Sequence, residues 1–320
     1  MLKILDFNEN HIDQALLIAR EGYERERRII DILPEQVEFP DFSVFLDNGL
    51  GVAAFDGEQM LGYLCCYGPF EKAFGSTNAI GVWSPLHANG LRHGGHKNVF
   101  ARMYQTAAAK WVGQGATSHA ITFYAHDEVI QSQLYRYGFG LRCLDTIRAM
   151  KEIDTEKPDN DGKYRLTELG HDEFHLIFPI GLLLSQHMAD SPIFLRYGEE
   201  KIEDGHEHKF AAWQIDEGYR YFAAWDGGKI IAYLRLHDEG ENFIGDAAPM
   251  QHIHGAYCFP QYRGQGIFQG LLNCVIKTLR AEGQTLLGVD FESFNPTASG
   301  FWLKYFSEYT HSVVRRVDEL

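Results

Sequence analysis

The stretch Ala256–Leu272, AYCFPQYRGQGIFQGLL, decides how the chain is read. It closes a strand-like run, Ile253–Phe259, that stops at Pro260. Arg263, Gly264, Gln265, Gly266 and Ile267 then open a helix with Ile267, Leu271, Leu272, Val275, Ile276 and Leu279 on one stripe. The two glycines let the backbone turn sharply and approach a ligand closely. The helix start offers free N–H groups and a partial positive charge, and Arg263 adds a cation. Together these make an anion seat suited to a pyrophosphate.

Two nucleotide-binding patterns are weighed against this turn. Gly264-x-Gly266 followed by a helix, a strand and Asp290 imitates a dinucleotide fingerprint, with the acid 24 residues after the second glycine. Only 30 residues follow Asp290, too few to finish such a sheet, and the third glycine, Gly270, comes one position late. The pattern G-x-x-x-x-G-K-[ST] is absent.

Working outward, the same element order occurs twice. Met1–Phe7 and Tyr164–Leu169 alternate as strands, each followed by a helical stretch, His11–Arg28 and Asp172–Met188, the second with an irregularity at Pro179. Asp56-Gly57 and Asp226-Gly227-Gly228 then join paired strand signals. The polar stretch Lys151–Lys163, with Pro158 and Gly162, separates the halves. Pro85 to Phe139 spans 54 residues against 46 from Pro260 to Phe306, and Pro85 to Arg148 spans 63 against 55 from Pro260 to Arg315. One extra segment between Pro85 and the next helix accounts for both differences, and an internal duplication is expected.

Composition sets the class. A length of 320 residues suits two domains, and 45% hydrophobic residues give each a core. A net charge of −15 argues against a nucleic-acid binder. No apolar run reaches the roughly 18 residues of a membrane span, and the N-terminus lacks a signal-peptide pattern. Cys65, Cys66, Cys143, Cys258 and Cys274 are odd in number and form no CxxC, which points to a reducing cytoplasm. His252-x-His254 and His93-x-x-His96 lack companion ligands at fixed spacing, so no metal is expected. His206-x-His208 reads as part of a charged loop.

The segment Cys258–Ile267 resembles the V-x-P-x-Y-R-G-x-G-I core of the GNAT superfamily of N-acetyltransferases, with Phe268 where that family has Gly or Ala. Asn295–Lys304, NPTASGFWLK, is similar to the family's N-x-x-A-x-x-(L/F)-Y-x-K, and Ser132–Gly140 resembles its helix end in the first half. The resemblance implies an α/β fold of two tandem GNAT-like domains, each a twisted, mixed, largely antiparallel sheet flanked by helices. A degenerate domain at 1–150, a linker at 151–163 and an acyl-CoA-binding catalytic domain at 164–320 follow from it. It further implies transfer from acetyl-CoA to a small-molecule or peptide amine, without nucleic acid, membrane or metal. The sequence names neither the amine nor an oligomeric state. By the same resemblance Cys258, Phe259, Arg263, Gly264, Gln265, Gly266, Ile267, Phe268, Asn295 and Trp302 hold the cofactor, and the backbone N–H near Cys258 is the oxyanion donor. The alternative is a non-catalytic acyl-CoA-binding, sensor or interaction protein that kept the seat and lost the acid.

Proton transfer has its own candidates. His254 is preferred as general base over His252, which shares its strand face, because an imidazole titrates near neutrality. Glu292 and Asp290 end the next strand, and one is expected to face the site while the other packs away. Trp302 stands where the family places a Tyr acid, and an indole N–H cannot supply a proton. Tyr305 or Tyr257 could replace it, or a thiol with a pKa near ~8.5 leaves unaided. In the first half Arg92, His93, His96 and Lys97 form a basic loop without G-x-G. That half is expected to have lost the seat, although these side chains could still meet phosphates.

Overall fold

The computed structural model describes residues 1–75, 78–94, 98–155, 163–195, 206–247 and 249–317. The first half carries β1 (Leu2–Asp6), α1 (Ile12–Ile29), β2 (Val52–Asp56), β3 (Gln59–Leu64), β4 (Tyr67–Phe70), β5 (Gly81–Ser84), β6 (Asn89–Leu91), α2 (Val99–Gly113), β7 (Ser118–Tyr124), α3 (Glu128–Arg136) and β8 (Gly140–Ala149). The second carries β9 (Arg165–Glu168), α4 (Phe178–Ala189), α5 (His206–Asp216), β10 (Arg220–Asp226), β11 (Lys229–His237), β12 (Met250–Cys258), α6 (Ile267–Ala281), β13 (Leu286–Glu292), α7 (Pro296–Trp302) and β14 (Ser307–Arg316). Both Asp-Gly hairpins form, with Gly57 and Gly227 at φ +61° and +58°. Pro179 sits in the first turn of α4, where its missing N–H costs nothing. No described helix is long and apolar enough to cross a membrane.

The chain divides into two compact units, and the division departs from the expected boundary. The first unit holds Met1–Thr146, Asn242–Ile244 and the residues from Ser307 on; the second holds Ile147–Glu241 and Gly245–Phe306. The expected 164–320 domain therefore lacks its last strand. β14 runs antiparallel to β7 in the first unit, from Thr310 opposite Tyr124 to Arg316 opposite Ser118. Asn242 also belongs there, donating to Asp145 Oδ2 at 2.8 Å and Tyr309 Oη at 3.1 Å. Of the expected linker, 156–162, with Pro158 and Gly162, lie outside the described residues.

In the first unit β1, β2, β3 and β6 form one antiparallel sheet, while β5 and β7 pair in parallel. Helix α2 buries Phe100, Met103, Tyr104 and Trp111 in one core, and α1 buries Ala15, Ile18 and Ala19 in another with Phe42, Phe45 and Tyr63. The extra first-half segment is not a longer loop before α2, as the spacing implied. The offset arises because Pro85 precedes a three-residue 3-10 turn, Leu86–Ala88, between β5 and β6, whereas Pro260 follows the whole of β12. The loop before α2 therefore begins at Arg92.

In the second unit the strand order is β13-β12-β11-β10-β9, antiparallel except for β12 beside β13. Helix α6 lies against β9, β10 and β11, and α4 against β12 and α5. Helix α5 was not read from the sequence, and His208 stands on it rather than in a loop, its ring 5.6 Å from that of His175.

Three buried imidazoles make the fold acid-sensitive. Burial pushes His87, His119 and His252 down to about 4. The folded state therefore favours their neutral forms. Their contribution is complete above the unfolded pKa near 6.5 and is lost as pH falls toward 4. At pH 5 each costs about 2 kcal/mol, an upper figure that is large against the ~5–15 kcal/mol of a folded domain. Urea midpoints at pH 7.5 and 5.0 check this: the lower pH should melt the chain earlier, and equal midpoints would contradict it.

Candidate active site

Strands β12 and β13 pair only from Met250–Leu286 to Ile253–Val289, then part. β12 stays paired with β11 through Cys258. A bulge marks the parting: Arg235 faces Gly255 and Leu236 faces Ile253, so His254 is the extra residue. Its carbonyl is met by Arg235, whose Nη2 donates to His254 O at 2.8 Å. Beyond the bulge backbone directions alternate. Phe259 N–H donates to Ile231 O at 3.1 Å, which turns the N–H and C=O of Cys258 toward the gap. Cys258 O there accepts from Arg263 Nε at 2.9 Å.

The turn after β12 has the predicted geometry. Gly264 and Gly266 adopt φ of +70° and +85°, and Gly266 is the N-cap of α6, with no side chain over the helix start. A cavity of about 390 Å³ follows this turn, with Cys258, Arg263, Gly264, Gly266, Ile267 and Phe268 in its wall. Asn295 and Trp302 close its other side. A second cavity, about 530 Å³, contains His254, Arg235, Asp290 and Glu292 in its lining. Leu184, Ala256, Asn295, Ala298 and Trp302 belong to both walls, so the two meet at the parted strands.

Several expected residues have defined duties. Asn295 is buried and caps α7: its Oδ1 accepts from Thr297 N at 3.2 Å and Ala298 N at 3.3 Å. Trp302 is buried against Phe268, Phe301 and Phe306. Phe259 is not brought to the 390 Å³ cavity, because its N–H belongs to β11 and its ring lies under Lys229, 5.0 Å away. Gln265 donates to Gln261 O at 2.7 Å and lines a neighbouring cavity of about 680 Å³. Tyr257 lines the 390 Å³ cavity, whereas the ring of Tyr305 packs on Phe301.

The acid–base groups separate clearly. His254 Nε2 contacts Glu239 O at 2.8 Å. A carbonyl only accepts, so Nε2 carries the hydrogen and Nδ1 keeps its lone pair. Burial lowers the His254 pKa, with Arg235 adding to the effect and the Glu239 bond opposing it. His252 is not in the cavity; its ring packs against Gly240, Gly245 and Gly288, within 3 Å of where a Cβ would stand on each. The expectation that Asp290 and Glu292 diverge is overturned: residues two apart share a strand face, and both line the 530 Å³ cavity. Burial raises the Cys258 thiol to about 11, with Arg263 pulling the other way, so it stays protonated at neutral pH.

The matching region of the first unit is crossed by its own side chains, with a cavity of about 290 Å³ left beside Arg25, Leu91, Arg92, His93 and His126. Asn89 Nδ2 reaches Ser84 Oγ, Pro85 O and Thr122 O, at 3.1, 3.2 and 2.9 Å, crossing from β6 to β7. Arg25 Nη2 donates to Leu91 O at 3.2 Å, and His126 pairs with the buried Glu26 at 2.7 Å. His96 and Lys97 lie outside the described residues.

Sequence reasoning missed Arg235, Tyr221 and Tyr233, which also line the 530 Å³ cavity. Arg235 carried a signal, a lone charge in the apolar run of β11.

Residues 187–306 match the family model described as acetyltransferase (GNAT) family. Among solved structures, a GCN5-related N-acetyltransferase from Sphaerobacter thermophilus superposes with a TM-score of 0.55 at 9% identity, covering 100% of this chain and 98% of that one. A GCN5-related glucosamine N-acetyltransferase region of a fungal multi-domain GH3 beta-N-acetylglucosaminidase gives 0.52 at 13% identity, covering 98% of this chain and 38% of that one. A tandem GNAT protein from the clavulanic acid biosynthesis pathway gives 0.48 at 13% identity, with 100% of both chains covered. No curated protein matches the chain.

Proposed function

Because residues 187–306 match the acetyltransferase (GNAT) family model, we propose that the second unit transfers an acetyl group from acetyl-CoA directly to the nitrogen of a small-molecule or peptide amine. The observation that carries this reading is the parting of β12 from β13 above two positive-φ glycines at the start of α6. The glycines clear the approach to the first N–H groups of α6, and Arg263 stands beside them as a cation for a diphosphate. Coenzyme A supplies the activated thioester. The Cys258 N–H faces the gap where a carbonyl oxygen gains charge, a fixed dipole that needs no reorganisation. His254 Nδ1 accepts the proton of the amine, directly or through water. The protonated Cys258 thiol takes no covalent part. Tyr257 is the phenol at hand for the departing sulfur, which leaves readily in any case.

One observation favours a second reading, binding without turnover: Trp302 occupies the usual acid position. Release of free CoA on mixing acetyl-CoA with an amine panel separates the two readings. For the seat itself, melting curves with acetyl-CoA should show a shift in the native chain that Arg263→Glu removes and Arg92→Glu leaves intact. A shift lost only with Arg92→Glu, or no shift in the native chain, would overturn the assignment.

A further inference from the structure

We propose that the 530 Å³ cavity selects an amino acid, an amine that also carries a carboxylate and an apolar side chain. This rests on the acyl-transfer reading and goes on to name its acceptor. The cavity has charge of both signs: Arg235 from β11, and Asp290 and Glu292 from β13. Leu182, Leu184, Phe178, Phe210 and Val289 give it an apolar wall.

Arg235 is a fixed cation. Its Nη2 is held by His254 O at 2.8 Å, its Nη1 by Gln214 Oε1 at 3.4 Å, and its guanidinium lies 4.7 Å from the Tyr219 ring centre. Its Nε is buried without a hydrogen-bond partner among the described residues. Gln214 is fully buried; its Oε1 also accepts from the Tyr221 hydroxyl, and its Nε2 has no partner either. An unmet buried donor is destabilising, and a planar carboxylate suits a guanidinium. The two acids lie two strands away on the sheet, with β12 and its His254 between. An ammonium held there and a carboxylate held at Arg235 bring the nitrogen beside the parted strands. Polyamines and lysine-rich peptides would meet Arg235 with like charge.

The test compares each amino acid with its decarboxylated twin, leucine with 3-methylbutylamine and phenylalanine with 2-phenylethylamine, using the full chain and acetyl-CoA. The amino acids should lead in kcat/KM by roughly 10- to 100-fold. Arg235→Met should collapse that ratio toward one, and Arg235→Lys should keep part of it. The ratio is internal to each variant, so a general loss of rate from a disturbed bulge does not mimic the effect. Twins that match or beat the amino acids in the native chain, or a ratio unchanged by Arg235→Met, would overturn the proposal. Calorimetry with leucine on the CoA-loaded chain separates the two readings. Leucine that binds through Arg235 without being acetylated supports the cavity assignment and sinks acyl transfer. Acetylated 3-methylbutylamine with leucine neither bound nor acetylated does the reverse.

Discussion

Replacing Gly266 with valine should abolish the acetyl-CoA melting shift and lower kcat/KM by about 100-fold or more. Two effects add at this residue. Its φ of +85° lies in the left-handed region, which costs a residue with a Cβ roughly 1–2 kcal/mol and a β-branched one more. The same residue is the N-cap of α6, so an isopropyl group would stand over the N–H groups that the phosphates need. Relaxing the strain would swing those N–H groups off their target. The fold should survive, because the stripe of α6 from Ile267 to Leu279 is unchanged. Circular dichroism checks the fold, and titration of CoA checks the seat. A Gly266→Val chain that binds CoA like the native protein would place the phosphates elsewhere.

His254→Gln should lower kcat by about 10²- to 10⁴-fold while leaving CoA affinity within a factor of about three. Glutamine keeps a donor for Glu239 O, so the β11–β12 connection stays tied, but it has no basic lone pair. The pH profile gives a second reading. The base works in its neutral form, and burial lowers its pKa below the usual 6.5. Activity limited by His254 therefore holds through neutrality and fails only below pH 6.5. In His254→Gln that acid limb should vanish with most of the rate. A retained rate and limb would move the base to Glu292.

The turn before α6 was legible because its determinants are local. Positive-φ glycines, a preceding Pro and an amphipathic stripe fall within one short segment. The acceptor side was not, because it depends on pairing. Nothing in the residues around His254 marks a bulge, which exists only through the register of β12 against β11. Arg235 matters because that register lays it under the freed carbonyl. The shared placement of Asp290 and Glu292 was legible from strand parity alone, which assigns both to one face. The placement of β14 was hidden for a related reason: its alternation is the same whichever neighbour it adopts. The split of β5 from β6 was not legible, because counting from Pro85 and Pro260 cannot say that one proline lies between two strand pieces and the other after a whole strand.

The position of β14 also bears on how the polypeptide is made. Val313 and Tyr309, buried in the first unit, are translated long after the rest of that unit's strands. An emerging nascent chain must keep β7 without its antiparallel neighbour until more than 180 further residues have been translated. The second unit completes its own strands sooner, so assembly from N- to C-terminus need not follow the order of synthesis.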